Sequence, residues 1–360
     1  MKNTINFKII ETKNLPQAEV EIHAEIKAES LEQFRKKVLN KIQKDLVLPG
    51  FRPGHVPENI LIKQVGDLFI YTEMAEMAIN EIFAEIISSA KINFITLPNV
   101  QLNKIAVGNP VEFKIVGPVM PEIKLANYEK IAKAEMKKED EPVEATDKEL
   151  DETVDEIRKN YALRNHEHPS TELGAGKEGE EHSHDNLPLP ELNDEFVKKL
   201  GAFKDVADFK EKIKDGIKKE KEFKNRDKKR LAIIEKLIDE SKIDLPKVLV
   251  DSEIRKMQAQ FEDDLVRAGL KMDDYLKHLK KSKDDLVKEW TPDAERRAKV
   301  QLIVSKIAIE EKLEADQEQV KKEVEALMKT YPGATEDRTK AYVEMMLIYE
   351  KVFAWLESQK

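Results

Sequence analysis

The stretch QAEVEIHAEIK, residues Gln17–Lys27, decides the fold of the N-terminal part of this chain. Apolar and polar side chains alternate along it with a period of two, so each set points to its own face. This pattern is typical of an antiparallel strand with one buried and one solvated face. Thr4–Thr12 is the expected partner strand, with Lys13–Pro16 as the turn. Because such a sheet needs a second layer, we expect helices to cover its apolar face.

Helical spacing begins directly after this strand. Apolar residues recur at intervals of three and four from Leu31 to Leu46, and Ser30 with Gln33 has the pattern of a capping box. Two further helices and two further strands are expected at Pro57–Gly66, Asp67–Ala90, Phe94–Leu97 and Val111–Val116. Residues 1–132 therefore predict an α+β domain, a small antiparallel sheet with helices on one face.

The rest of the chain is predicted to be helical, apart from a connector and a linker. Residues 133–164 contain a charged, extended connector and then a helix that Thr146 and Glu149 cap. Residues 165–190 hold three glycines, four histidines and no aromatic residue, which is typical of a flexible linker. Residues 191–360 show helical spacing throughout and predict an all-α, multi-helix domain with extended arms.

Composition limits the classes of protein that are possible. Of 360 residues, 37% are charged and 6% aromatic, and the net charge is −9. The absence of cysteine excludes disulfides and thiolate metal sites. Met1–Glu11 contains no apolar stretch of signal-peptide length, and no run approaches the about 20 apolar residues that span a bilayer. We therefore expect a soluble, cytoplasmic protein of two or three domains with no membrane partner.

One region carries positive charge on this acidic chain. The range from Ser30 to Gln64 contains seven basic residues and three acidic ones. Five of the seven lie on the first helix and form a predicted basic face: Arg35, Lys36, Lys37, Lys41 and Lys44. From charge alone, a docking surface for an anionic partner and a solvated helix face are equally good interpretations.

The loop after this helix has the sequence GFRPGHVP, residues 50–57, and its prolines and glycines exclude regular structure. Phe51 offers an apolar anchor at an exposed tip, and the Arg52 guanidinium can hold a phosphate or carboxylate through two hydrogen bonds. The alternative is a structural turn with Phe51 folded into the core. The residues by themselves favour that alternative.

The same loop resembles the ribosome-docking signature of the bacterial trigger factor family, usually Gly-Phe-Arg, a variable residue, Gly, Lys, a variable residue and Pro. The segments Leu189–Phe196 and Val250–Ile254 resemble further stretches of that family, so the resemblance extends over nearly the whole chain. It implies an ATP-independent chaperone that docks on the large ribosomal subunit near the tunnel exit, through its protein or rRNA, and shields unfolded or nascent polypeptides. It also implies which residues dock: Gly50, Phe51, Arg52, Pro53, Gly54, His55 and Pro57. A homodimer away from the ribosome is a further expectation.

Two departures from the family pattern matter. Pro53 and His55 stand where basic residues are common, so Arg52 is the only permanent charge in the loop. This predicts weaker docking, or docking tuned to a different ribosome. The family usually inserts an FKBP-like prolyl-isomerase domain where this chain has only residues 165–187. A polar segment without an aromatic residue cannot form a proline pocket, so no isomerase activity is expected.

The remaining candidate sites are weaker. Two His-x-His pairs offer four imidazoles that are able to ligate a metal: His166, His168, His182 and His184. A flexible linker provides no rigid support for such a site, so we expect solvated histidine side chains and no bound metal. No enzyme signature, catalytic residue or cofactor site is recognised. Adaptable apolar side chains in the helical half are candidate client contacts, with core packing as the alternative: Met257, Phe261, Met328, Met345 and Met346. The competing function is a non-ribosomal helical adaptor for a folded partner.

Overall fold

The computed structural model describes residues 5–49, 51, 54–165, 189–331 and 333–359. Its secondary structure confirms an N-terminal antiparallel sheet with helices, followed by a largely helical region. In chain order the elements are β1 (Phe7–Leu15), β2 (Glu19–Ile26), α1 (Ala28–Asp45), α2 (Glu58–Val65), α3 (Asp67–Ala90), β3 (Asn99–Lys104), β4 (Val111–Pro118), β5 (Ile123–Lys124), α4 (Tyr128–Met136), α5 (Asp147–Asn165), α6 (Asp194–Leu200), α7 (Val206–Glu240), β6 (Lys242–Ile243), α8 (Lys247–Arg267), α9 (Met272–Leu279), α10 (Lys283–Glu310), α11 (Gln317–Thr330) and α12 (Glu336–Glu357).

By its contacts the chain divides into two units. The first comprises Met1–Ala126 and Ile238–Tyr349, and the second comprises Asn127–Leu237 and Glu350–Lys360. Each unit therefore joins segments that are distant in sequence. The domain boundaries expected from the sequence follow chain order instead, and they remain a prediction.

The sheet has the strand order β1-β2-β4-β3, and every pairing in it is antiparallel. The alternation in β2 has the predicted effect, because all four of its apolar side chains are buried: Val20, Ile22, Ala24 and Ile26. On β4, Phe113 and Ile115 are paired with Ala24 and Ile22 and are also buried. Phe34 of α1 and Tyr71 of α3 belong to the same buried cluster, so these helices cover the apolar face of the sheet.

Three local expectations in this sheet region are wrong by a few residues. β1 continues to Leu15, so the turn lies at residues 16–18, where Gln17 and Ala18 have left-handed backbone angles (φ 62° and 49°). The N–H groups of these two residues donate to the two carboxylate oxygens of Asp244, at 3.0 and 2.9 Å. The capping box at Ser30 is absent, because α1 begins at Ala28. Inside the helix, the Ser30 hydroxyl instead accepts a hydrogen bond from the Asn6 N–H at 3.0 Å.

The expected strand at Phe94–Leu97 is the third correction. Phe94 forms only an isolated bridge to Val119, and the strand at this sheet edge is β3, which begins after Pro98. Pro98 has no N–H to give to a ladder. A Cβ atom on Gly117 would lie 2.8 Å from the Phe94 ring, so the glycine allows this ring to lie over β4. Packing of Phe94 replaces strand pairing here.

In the helical part, several short elements were not predicted. The extended connector expected from residue 133 begins only after α4 ends at Met136, and α6 and α9 are additional helices. The two-residue strand β6 pairs with β5, so the C-terminal region is largely rather than wholly helical. The capping box of Thr146 and Glu149 is confirmed. Hydrogen bonds from Lys221 and from Thr146 lower the pKa of Glu149 to about 2.

The buried clusters of the helical segments are small. One comprises Val250, Ile254 and Ala294, and another comprises Val320, Val324 and Val343. α8 and α11 bury few residues, as the sparse apolar spacing of the sequence indicates, whereas α10 buries eight. Within the ranges given above, no helix has both the length and the apolarity that a membrane crossing requires.

Candidate functional site

The loop between α1 and α2 is anchored on the last turns of α1. The Phe51 N–H donates to the Leu48 carbonyl oxygen at 3.1 Å, and the Gly54 N–H donates to that of Gln43 at 3.2 Å. The side-chain amide of Gln43 donates to the carbonyl oxygen of Val56, and the Val56 residue is fully buried. The two contacts with Gln43 hold Gly54 and Val56 on α1, while the bond between Phe51 and Leu48 closes a turn within the loop.

The predicted docking residues differ in how they are placed. Phe51 is half-buried and packs against the N-terminal core, which lies between the exposed anchor and the buried turn that the sequence left open. Gly54 has a left-handed backbone (φ 81°) that favours glycine, whereas His55 and Pro57 are exposed, with Pro57 at the N-terminus of α2. The remaining members lie outside the described residues: Gly50, Arg52 and Pro53.

The predicted basic face is partly occupied by acidic residues of α3. Lys41 forms an ion pair with Glu73 at 2.8 Å, while Arg35 and Lys37 each lie 3.9 Å from a carboxylate of the same helix. The hydrogen bond to Glu73 raises the pKa of Lys41. No ion pair involves Lys36 or Lys44 in the part of the chain that the structure describes. The face is therefore less positive than a count of its lysines and arginines indicates.

The five candidate client contacts fall into two groups. Met257 and Met328 are half-buried against small helical clusters, and the half-buried Phe261 ring makes edge-to-face contacts with Tyr275 and Trp290. These environments favour the packing interpretation for these three residues. On α12, Met345 and Met346 are 37% and 49% exposed, so both remain available for contact with a partner.

An apolar groove of about 620 Å³ lies in the first unit and was missed by the sequence analysis. Its apolar lining comes from the β5 segment, α8 and α10: Met120, Pro121, Ile123, Leu249, Leu302 and Ile309. Met120 and Ile309 are the most open of these, with 64% and 72% of their surface exposed. The polar lining includes Gln301, whose amide donates to the Met345 sulfur at 3.8 Å. We call this feature the apolar groove.

The chemistry available in this groove is binding rather than catalysis. Its charged lining residues include Glu253 and Lys256, which form an ion pair at 2.6 Å and so offset each other. No group of three or more metal-ligating side chains occurs among the residues whose structure is described, and the four linker histidines lie outside them. A largely apolar lining with a few polar side chains suits a short, largely apolar segment of another polypeptide.

Comparison with models of known protein families shows which family this chain belongs to. A model described as "Bacterial trigger factor protein (TF)" matches residues 8–157, and one described as "Bacterial trigger factor protein (TF) C-terminus" matches residues 205–357. This chain belongs to the trigger factor family. No FKBP-type isomerase domain is matched between residues 157 and 205.

Individual relatives in the trigger factor family agree with this. The trigger factor of Carboxydothermus hydrogenoformans is 26% identical, with 92% of this chain and 93% of the relative covered. That of Agathobacter rectalis is 25% identical, with 93% and 90% covered. The first alignment runs over 402 positions, more than the 360 residues of this chain, so the relative has residues without a counterpart here.

A solved structure gives the fold an independent match. It is described as "Promiscuous Substrate Recognition in Folding and Assembly Activities of the Trigger Factor Chaperone" and has a TM-score of 0.56 at 17% identity. The match covers 98% of this chain and all of that one. At this identity the likeness concerns the trigger factor fold alone.

The family motif and the groove differ in how visible they are in the sequence. The trigger factor resemblance at residues 50–57 is continuous along the chain, so it can be recognised by eye. The apolar groove joins residues from 120 to 309, and no local pattern marks them as neighbours. Met120 and Pro121 lie just after β4, and nothing in their sequence points to Leu249 or Ile309.

Proposed function

We propose that this member of the trigger factor family is an ATP-independent cytoplasmic chaperone that docks at the ribosomal tunnel exit and shields emerging polypeptides. The observation that carries the proposal is the apolar groove, together with the exposed Met120 and Ile309 beside it. Exposed apolar surface of this kind is a common mark of a binding site for another chain.

The groove supports weak and exchangeable binding. Burial of apolar surface contributes about 25 cal/mol per Å², so a small groove holds a short segment only loosely. Methionine side chains adapt to different partners, and Met345 lies close to the groove through its contact with Gln301. Several such contacts along one client would together give useful affinity with fast exchange. No nucleotide is needed for release in this scheme.

Docking is supported by the anchored loop between α1 and α2. Phe51, which precedes Arg52 in the sequence, packs against the N-terminal core. The Arg52 guanidinium can bind a phosphate or carboxylate of the large subunit. Lys36 and Lys44 of α1 would add positive charge.

Reversing the charge of Arg52 tests docking directly. We expect Arg52→Glu to reduce co-sedimentation with large ribosomal subunits at least tenfold at about 0.1 M salt, because an attractive contact becomes repulsive. Phe51→Ala should also weaken binding, with circular dichroism to verify folding. Lys8→Glu, the same charge change at an exposed position of β1, should leave binding within about twofold. If Arg52→Glu sediments like the parent protein, the docking assignment fails and the adaptor function takes its place.

Absence of prolyl-isomerase activity is a separate prediction. Residues 165–187 contain no aromatic side chain to form a proline pocket, and no isomerase domain is matched there. In a protease-coupled assay with a proline peptide, only the uncatalysed rate is expected at micromolar protein. Clear acceleration would refute this interpretation.

The homodimer away from the ribosome also remains a prediction, to be tested by analytical ultracentrifugation.

A further inference from the structure

Residues 137–146, between α4 and α5, run along α7 in the opposite direction, and we call them the acidic strap. Asp140 lies 2.8 Å from Lys229, Glu141 lies 2.6 Å from Lys228, and Glu144 lies 3.1 Å from Lys218. Just beyond the strap, at the start of α5, Asp147 continues the series with Lys214 at 3.1 Å. All of these residues belong to the second unit.

The partners on α7 form a regular row. Its members follow intervals of three or four residues and so share one helix face: Lys214, Lys218, Lys221, Asn225 and Lys228. With Lys229 they are called the lysine row. At 1.5 Å per residue the row is about 20 Å long, roughly the span of a short extended segment. The sequence analysis found the charged connector but did not pair it with α7.

Charge and hydrogen bonds make most contacts of the strap, and its apolar packing is limited to the half-buried Val143 and Ala145. Asp140, Glu141 and Glu144 are all more than half exposed, and none of the strap belongs to the buried cluster around Phe209. Two side chains of the row also donate to strap carbonyl groups. Asn225 donates to that of Glu141 at 2.8 Å, and Lys221 to that of Glu144 at 2.9 Å.

Exposed ion pairs are individually weak and are screened by salt. Because the strap pairs share one continuous segment, loss of some makes loss of the others easier. We propose that the acidic strap is an electrostatic fastener that opens from the lysine row as a unit when its charges are screened, while the core of α5, α6 and α7 stays folded.

Opening would change two properties of the molecule. It uncovers the buried Asn225 and the mostly buried Lys229, and so presents a basic row on a chain whose net charge is −9. It also frees ten residues that can extend to about 33 Å, so that α4 and α5 are joined by a slack connector instead of a fixed one.

The chain has no cysteine, so two introduced cysteines become unique labelling sites. Spin labels at Pro142→Cys and Glu222→Cys, one on the strap and one on α7, report the distance between them by electron paramagnetic resonance. At about 0.01 M salt we expect one short, narrow distance. At about 1 M salt a long, broad component should become the larger one, with no loss of helical circular dichroism.

Charge variants distinguish the fastener from ordinary packing. Lys218→Gln with Lys228→Gln should produce the long component already at about 0.01 M salt, and Lys212→Gln with Lys219→Gln, the same change on the opposite face of α7, should not. Lys228→Glu should open the strap, and adding Glu141→Lys should close it again. If the short distance persists in the row variant at about 1 M salt, carbonyl hydrogen bonds hold the strap and the proposal is wrong.

Discussion

Replacing Met120 and Ile309 together by glutamate is expected to remove most of the protein's ability to suppress aggregation of an unfolded client. Both side chains line the apolar groove, and both are largely exposed. A carboxylate at each position would have to lose water when an apolar segment binds, which is costly without a partner. Because neither residue is in the core, the melting temperature should fall by no more than about 2 °C.

Light scattering of a client diluted from denaturant, with equimolar protein and no ATP, measures this effect. The matched control is Leu97→Glu with Val266→Glu, two exposed apolar positions that do not line the groove. Suppression should remain close to that of the parent protein in the control. An equal loss in both variants would show that any added negative charge repels the client. No loss in the groove variant would show that clients bind elsewhere.

Phe113→Ala is expected to have the largest effect on stability. The side chain is fully buried in β4, opposite Ala24 of β2 and beneath the helices of the N-terminal core. Truncation of a buried phenylalanine costs about 3–5 kcal/mol, from lost burial and the cavity that remains.

Hydrogen exchange of the Ile22 and Ile115 amides is the suitable measurement, since these residues pair in the centre of the sheet. If their exchange proceeds by opening of the sheet, it should accelerate by about two to four powers of ten. Val100→Ala, on the edge strand β3 and partly exposed, should change the rates by less than about tenfold. Equal effects of the two variants would contradict the buried position of Phe113.

What the sequence predicted well depends on local repetition. The alternation around Val20 and Ile22 identified β2, and α3 has the predicted ends because Gly66 precedes it and its apolar spacing is unbroken. Thr146 with Glu149 was recognised for the same reason, since a capping box spans only four residues. Each of these signals lies within a single element.

What the sequence missed depends on contacts between distant residues. Ser30 resembles a cap, but its hydroxyl is taken by Asn6, and the helix begins before it. Phe94 resembles a strand residue, but Gly117 gives its ring a place over the sheet. The apolar groove could not be predicted for the same reason, because Met120, Leu249 and Ile309 are distant in sequence and come together only after folding.

The bond between Asp244 and the hairpin turn at Gln17 and Ala18 has a consequence for synthesis of the chain on the ribosome. The turn is made early, but its carboxylate partner is 227 residues further along. At about 5–20 residues per second, roughly 11–45 s pass between the two. The four strands of the sheet all lie before residue 119 and do not have to wait. Newly made molecules therefore complete the sheet first and fasten its hairpin to the segment after α7 only when that segment has emerged.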